Sequence, residues 1–170
     1  MQKIAMACML LVLSASAWAG SWQVGALGND QTVGARVLYD TGSQTRAGLE
    51  TLWGESVTGL NQEGITVAAV GIWDVLPEVQ FPVAGWLPEG LPLPESIPLG
   101  VSVGAALGFR VDSERDFEGV ADVFVEAAFN PKGRVPIFVQ FRHHFAQDKW
   151  DKLPSWEDAD QILLGFEVKL

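Results

Sequence analysis

Cysteine is nearly absent from this chain of 170 residues, and its single copy, Cys8, lies in an apolar segment at the amino terminus. That segment carries Lys3, an apolar run over 4–15 and the pattern Ala17-Trp18-Ala19 before Gly20, which is the layout of a cleaved secretory signal peptide. We therefore predict cleavage between Ala19 and Gly20. The mature chain then lacks cysteine, which excludes disulfides, thiol catalysis and cysteine-ligated metal sites.

Basic residues are also scarce. The sequence holds 11 lysines and arginines against 21 acidic residues, a formal net charge of −10. Nucleic-acid binding requires a basic surface, so this balance argues against a nucleic-acid partner. The hydrophobic content of 48% argues against a disordered chain. We predict a signal peptide over 1–19 and a single domain over 20–170.

Long apolar runs are missing as well, since no stretch of the mature chain holds 18 consecutive apolar residues and no transmembrane helix is predicted. The sequence instead alternates with a period of two, which is typical of half-buried strands. From Leu99 to Val111 every odd position is apolar, and the even positions are Gly, Ser, Ala or Arg. Such alternation predicts seven strands: Ser21–Gly28, Thr32–Asp40, Ala47–Gly54, Leu99–Val111, Phe117–Phe129, Val135–Phe145 and Gln161–Leu170. Ile65–Asp74 is apolar on both faces, as a buried helix would be, but its β-branched residues favour an eighth strand.

The composition of the second strand face distinguishes a soluble barrel from a lipid-embedded one. A soluble barrel covers its outside with polar side chains, whereas this second face is rich in Gly, Ser and Ala, which suit the narrow interior of an eight-stranded barrel. Charged residues of both signs share the face and would neutralise one another inside. The predicted interior polar network comprises Arg36, Glu50, Arg110, Asp122, Glu126, Arg142, His144, Glu167 and Lys169.

Turn-forming residues separate most of the predicted strands. Together these features predict an all-β fold: an eight-stranded antiparallel up-and-down barrel of the outer-membrane type. One connection is unusual, because six of the nine prolines lie between positions 75 and 98. Proline cannot donate the backbone hydrogen bond that a central strand needs. We therefore predict a Pro-rich connection at about 75–98, with at most a short edge strand around Val79–Val83.

The chain resembles the small eight-stranded bacterial outer-membrane β-barrels. The resemblance rests on the signal peptide, the eight alternating segments, the acidic balance and the final strand Ile162-x-Leu164-x-Phe166-x-Val168-x-Leu170. In that family the last strand is the assembly signal and usually ends in an aromatic residue, where this chain has Leu170. The resemblance implies the cell envelope of a Gram-negative bacterium, with outer-membrane lipid and the outer-membrane assembly machinery as partners. It implies no cofactor and a structural or surface-interaction role without a wide pore. It does not determine the oligomeric state.

A weaker resemblance concerns the segment Val135–His144, which is similar to the corresponding stretch of the lipid A deacylase barrels. Those enzymes use a histidine, a serine two residues later and an acidic residue before the final strand. In this chain His144 matches the histidine, and Glu157 or Asp158 matches the acid. The serine would stand two residues after His144, but that residue is Ala146, so the nucleophile is missing. The sequence therefore favours a non-enzymatic role over a lipid A-modifying hydrolase.

The remaining alternatives concern ligands. His143 and His144 are adjacent, so they point to opposite faces of a strand and cannot share a metal ion; no metal site is predicted. Gly20-Ser21-Trp22 is similar to the Gly-x-Trp motif of the lipocalins, which are also eight-stranded barrels. That similarity implies a barrel in the periplasm that binds a small apolar ligand, as the alternative to the outer membrane.

Overall fold

The structure is a computed structural model of the chain, and it describes residues 20–55, 63–82, 96–112, 117–146 and 160–170. The predicted signal peptide over 1–19 lies outside these residues, and so does the middle of the Pro-rich segment, 83–95. Within the described ranges, no helix has the length and apolar character needed to cross a membrane.

The described residues form eight strands: β1 Ser21–Gly28, β2 Thr32–Asp40, β3 Thr45–Glu55, β4 Glu63–Pro82, β5 Ser96–Asp112, β6 Phe117–Phe129, β7 Ile137–Ala146 and β8 Asp160–Lys169. Each strand runs antiparallel to its neighbours in sequence, and β8 pairs with β1, which closes the barrel. The predicted all-β, eight-stranded antiparallel barrel is confirmed. β1, β2 and β6 have the predicted bounds, whereas the other strands begin or end a few residues away, and β4 is longer than predicted.

The two ends of the barrel carry different connections. Gly20 and Leu170 lie at one end with the turns over 41–44 and 130–136, and we call this end the terminal rim. The opposite end, the distal rim, carries the turn over 29–31 between β1 and β2. Every residue of the barrel wall can therefore be placed relative to one rim or the other.

β4 continues into the Pro-rich segment further than the prolines predict, because it ends only at Pro82. It pairs with β3 as far as Trp73, which lies opposite Thr45, and beyond that point it pairs only with β5. A strand with a single neighbour tolerates proline, since one of its edges donates no ladder hydrogen bonds. Pro77 and Pro82 therefore lie in an edge strand that extends past the terminal rim.

The barrel wall sorts its side chains by face. Many inward side chains are charged or polar and buried, whereas most of the large outward side chains are apolar and exposed. All eight strands contribute to this outer face: Val24, Val33, Leu49, Trp53, Ile65, Trp73, Leu107, Phe109, Val123, Val125, Ile137, Val139, Ile162 and Leu164. Among the side chains that the structure describes, no Asp, Glu, Lys or Arg faces outward on β1 to β7 between the two rims, and Asp160, at the start of β8, pairs with His143.

Two apolar clusters fill part of the interior. One contains Leu38, Ala68, Val70, Ile72, Ala106 and Phe124, and the other contains Leu27, Leu52, Ala128, Phe138 and Leu163. Glycine makes room for both aromatic rings: a Cβ at Gly104 would overlap the Phe124 ring, and one at Gly165 would overlap the Phe138 ring. The small residues of the inward face therefore accommodate the large ones.

Replacing Gly104 by alanine is expected to destabilise the barrel. The added Cβ would overlap the Phe124 ring and lie 2.9 Å from the carbonyl oxygen of Gly71, and overpacking of this kind costs about 1–3 kcal/mol. Gly71→Ala is the matched control, because nothing lies within 4 Å of its added Cβ. Urea unfolding measures the difference, and equal free energies of unfolding would contradict the packing described.

Candidate functional site

Among the described residues, the candidate site is a group of charged side chains that lie close together inside the barrel. Arg36, Glu50, Glu126, Arg142 and Glu167 are each at most 2% exposed. Removing a charge from water is unfavourable unless an opposite charge and hydrogen bonds compensate for it. Each of these buried charges therefore needs an oppositely charged partner inside the barrel.

Five charged side chains form one ion-pair network towards the terminal rim, and we call Arg36, Arg46, Asp74, Glu126 and Glu167 the terminal network. The Nη1 atom of Arg36 lies 2.8 Å from Glu126 Oε2, and its Nη2 atom lies 2.6 Å from Glu167 Oε1. Arg46 contacts the same two carboxylates, at 3.4 and 3.0 Å, and Asp74 at 2.8 Å. Each glutamate thus lies between two arginines, and the network joins β2, β3, β4, β6 and β8.

Uncharged side chains orient the two arginines of the terminal network. The Ser102 hydroxyl donates to Asp74 at 2.7 Å and accepts a hydrogen bond from Arg46 at 3.2 Å. The Arg36 guanidinium lies 3.9 Å from the centre of the Phe138 ring, which is a cation–π contact. Each arginine of the terminal network therefore contacts an uncharged side chain as well as carboxylates.

A second group, nearer the distal rim, contains Glu50, Asp122, Arg142 and His144, and we call it the distal network. Arg142 lies 2.6 Å from Glu50 Oε1 and 3.2 Å from Asp122 Oδ2. The other carboxylate oxygen of Asp122 pairs with His144 Nδ1. The Arg142 guanidinium also lies 5.1 Å from the centre of the Phe124 ring. The distal network therefore links β3 to β6 and β7 across the barrel.

The structure places seven of the nine residues of the predicted interior network in these two groups, namely Arg36, Glu126 and Glu167 in the terminal network and Glu50, Asp122, Arg142 and His144 in the distal network. The other two lie at the rims. Arg110 donates to the Gly54 carbonyl oxygen at 3.0 Å near the distal rim. Lys169 donates to the Pro131 carbonyl oxygen at 2.6 Å near the terminal rim.

Two members of the terminal network, Arg46 and Asp74, are not among the predicted site residues. Arg46 precedes the predicted start of β3 at Ala47, whereas β3 begins at Thr45. Counting back in steps of two from Glu50 would have placed Arg46 on the inward face. The same alternation places Asp74 inward, two residues after the buried Ile72.

His144 is the candidate base of the deacylase-like site. Its described hydrogen bond runs to Asp122 rather than to a hydroxyl group. The candidate acids, Glu157 and Asp158, lie outside the described residues. His143 lies on the other face and pairs with Asp160 at 2.8 Å. Among the residues that the structure describes, no three His, Cys, Asp or Glu side chains are arranged to hold a metal ion.

A cavity of about 130 Å³ lies between the terminal network and the terminal rim. Its lining includes Arg46, Glu126 and Glu167 from the terminal network together with Asp40, Lys132 and Lys169. Pockets for small apolar ligands are lined mainly by hydrophobic and aromatic side chains. Charges of both signs line this cavity, so its chemistry is that of a polar site.

Fold and interior together define the class of protein: a closed eight-stranded antiparallel β-barrel with charged side chains inside and an apolar outer face. Comparison of the chain with protein-family models, with curated proteins and with solved structures finds no match in any of the three. The resemblances to outer-membrane barrels, to deacylase barrels and to lipocalins therefore stay predictions from the sequence.

Proposed function

We propose that the protein is a bacterial outer-membrane β-barrel with a structural or surface-interaction role and no wide pore. The observation that carries this proposal is the outer face, where all eight strands expose large apolar side chains. Contiguous apolar patches on soluble monomers rarely exceed about 300–600 Å². A barrel in lipid has no such limit, because hydrocarbon is the medium that its outer face contacts.

The aromatic side chains near both rims support the proposal. Trp53 and Phe109 are exposed near the distal rim, and Trp73 and Phe129 are exposed near the terminal rim. Aromatic girdles flank an apolar band of about 25 Å in outer-membrane barrels. Ile65, which lies opposite Trp53, is eight residues from Trp73 along β4, or about 26 Å of strand. At a strand tilt of about 40° this corresponds to about 20 Å along the barrel axis.

The interior supports a barrel without a wide pore. Ion pairs cross it at two levels, Arg36 with Glu126 in the terminal network and Arg142 with Glu50 in the distal network. An eight-stranded barrel is only wide enough for its own side chains to fill. We therefore expect no porin-like conductance when the purified protein is added to a planar lipid bilayer.

The two alternatives find less support among the described residues. A hydrolase that uses His144 needs a nucleophile beside the imidazole, and the described partner of His144 is the carboxylate of Asp122. A barrel that carries an apolar ligand needs an apolar cavity, whereas charged side chains line the cavity near the terminal rim. Both alternatives are outcomes of the experiment below.

Membrane fractionation followed by gel electrophoresis tests the proposal. We expect the protein to remain in the outer-membrane fraction after a high-salt and alkaline wash. We also expect boiled and unboiled samples to migrate differently, because a closed barrel keeps its compact shape in detergent until it is heated. A protein that is soluble in the periplasm and shows no shift would contradict the proposal and favour the ligand-binding alternative. Glycolipid hydrolysis that His144→Ala abolishes would favour the hydrolase.

A further inference from the structure

A groove of about 550 Å³ lies in the outer wall where β8 meets β1. Exposed apolar side chains line it, including those of Val33, Ile137, Leu164 and Phe166. These four side chains are 46–62% exposed, so they contact whatever surrounds the barrel. The groove is therefore an apolar indentation of the outer face rather than part of the charged interior.

The end of β1 and its small side chains produce this indentation. β1 contributes Ala26 and Gly28 to the lining, and it ends at Gly28, opposite Leu164. β8 continues beyond Leu164 towards the distal rim, where its ladder with β1 has already ended. There the Asn29 side chain donates a hydrogen bond of 3.3 Å to the Ile162 carbonyl oxygen. The outer surface of the wall is thus indented between the large side chains of β2 and those of β7 and β8.

One exposed arginine adjoins the end of the groove nearest the terminal rim. Val135 lines the groove and directly follows Arg134, which is exposed. Within the described part of the chain, the Arg134 guanidinium forms no ion pair. Lys132, in the same turn, lines the interior cavity instead and lies 3.6 Å from Glu78. An anion at this position would meet at least one uncompensated cation.

The other turns of the terminal rim do not carry such charge. The turn over 41–44 has no acidic or basic residue, and the segment over 75–98 has three acidic residues and no basic one. The turn over 130–136, by contrast, has two basic residues and no acidic one. In a chain with a formal net charge of −10, this turn is a local exception, and it lies beside the groove.

We propose that this groove binds a single anionic phospholipid, with one acyl chain along Ile137, Leu164 and Phe166 and the phosphate beside Arg134. An acyl chain gains dispersion contacts in an indentation that a flat wall does not offer. A guanidinium matches a phosphate in shape and forms two parallel charge-assisted hydrogen bonds with it. This inference rests on the proposed function, because a lipid reaches the groove only if the wall faces a bilayer.

Fluorescence quenching by brominated lipid tests the proposal. Residues 20–170 contain no cysteine, so single cysteines can be labelled at Val139, beside the groove, and at Leu107, on the outer face of β5 across the barrel. The labelled proteins are reconstituted in mixtures of brominated phosphatidylglycerol and plain phosphatidylcholine. We expect the label at 139 to be quenched at a lower fraction of anionic lipid, with a preference of about fivefold over the label at 107, since one nearby cation contributes that much.

Three variants separate the headgroup contact from the groove itself. Arg134→Gln should reduce the preference at 139 to the value at 107, and it should leave the heat-dependent gel shift unchanged because Arg134 is exposed. Ala26→Phe should fill the groove and remove the preference with Arg134 intact. Ala47→Phe, at an exposed alanine of β3, is its matched control and should have no effect.

The outcomes distinguish this inference from the proposed function. Equal quenching curves at 139 and 107 in an inserted barrel would overturn the lipid site and leave the outer-membrane proposal intact. A preference that survives both Arg134→Gln and Ala26→Phe would also overturn it. Failure of the unsubstituted chain to insert into vesicles would contradict the outer-membrane proposal itself.

Discussion

Arg36→Met is expected to destabilise the barrel by about 3–5 kcal/mol, because removing one partner of a buried ion pair leaves the other charge uncompensated. Glu126 and Glu167, both at most 2% exposed, would then share Arg46 alone. Methionine keeps an apolar stem beside Phe138, so the main change is the lost charge. The free energy of unfolding in urea, measured in detergent micelles, gives the effect.

Two control variants show whether charge pairing causes the loss. Arg36→Met combined with Glu126→Gln removes one charge of each sign, and we expect it to recover part of the stability, since buried pairs are often replaceable when both partners change. Arg134→Gln removes an exposed cation and should stay within about 0.5 kcal/mol of the unsubstituted protein. If Arg36→Met and Arg134→Gln unfold at the same urea concentration, the terminal network does not stabilise the fold.

Val123→Arg has the second large expected effect. Val123 lies at the middle of the 13-residue β6 and faces outward with 48% of its surface exposed. An arginine on the lipid face costs about 2–4 kcal/mol at the bilayer midplane and about 0–1 kcal/mol near the interface. Thr45→Arg is the matched control, because Thr45 is exposed at the start of β3 by the terminal rim.

The measurement is the unfolding of both variants after reconstitution in lipid vesicles. We expect Val123→Arg to unfold at a clearly lower denaturant concentration than Thr45→Arg. An arginine at a water-exposed position changes stability little wherever it stands along the strand. Small and equal effects at both positions would therefore show that the outer face meets water, against the outer-membrane proposal.

The strands and their faces could be predicted because both are local properties of the sequence. β1, β2 and β6 begin and end at the predicted residues, since period-two alternation stops at turn residues there. Side-chain direction alternates along a strand, so the same pattern places Arg36 and Glu126 inward and Val123 outward. In the structure, Arg36 and Glu126 are each 1% exposed and Val123 is 48% exposed.

The partners inside the barrel could not be predicted from the sequence. Arg36 on β2 meets Glu126 on β6 and Glu167 on β8, a result that depends on the register of every strand pair between them and on the stagger of the closed sheet. The path of β4 through Pro77 is non-local in the same way. Proline is tolerated there because β3 begins only at Thr45, opposite Trp73, so β4 has no partner on that side at Pro77. The sequence around Pro77 does not reveal this.

The ladder between β1 and β8 joins the two ends of the folded chain, from Gln23 opposite Lys169 to Gly28 opposite Leu164. The neighbouring hydrogen bond from Asn29 to Ile162 spans 133 residues of sequence, whereas every other strand pair joins consecutive strands. Closing so large a loop lowers the chain entropy before any contact compensates for it, so distant pairs form slowly. We expect this ladder to be the last to form during folding, so that the meeting of the chain ends sets the time at which the barrel closes.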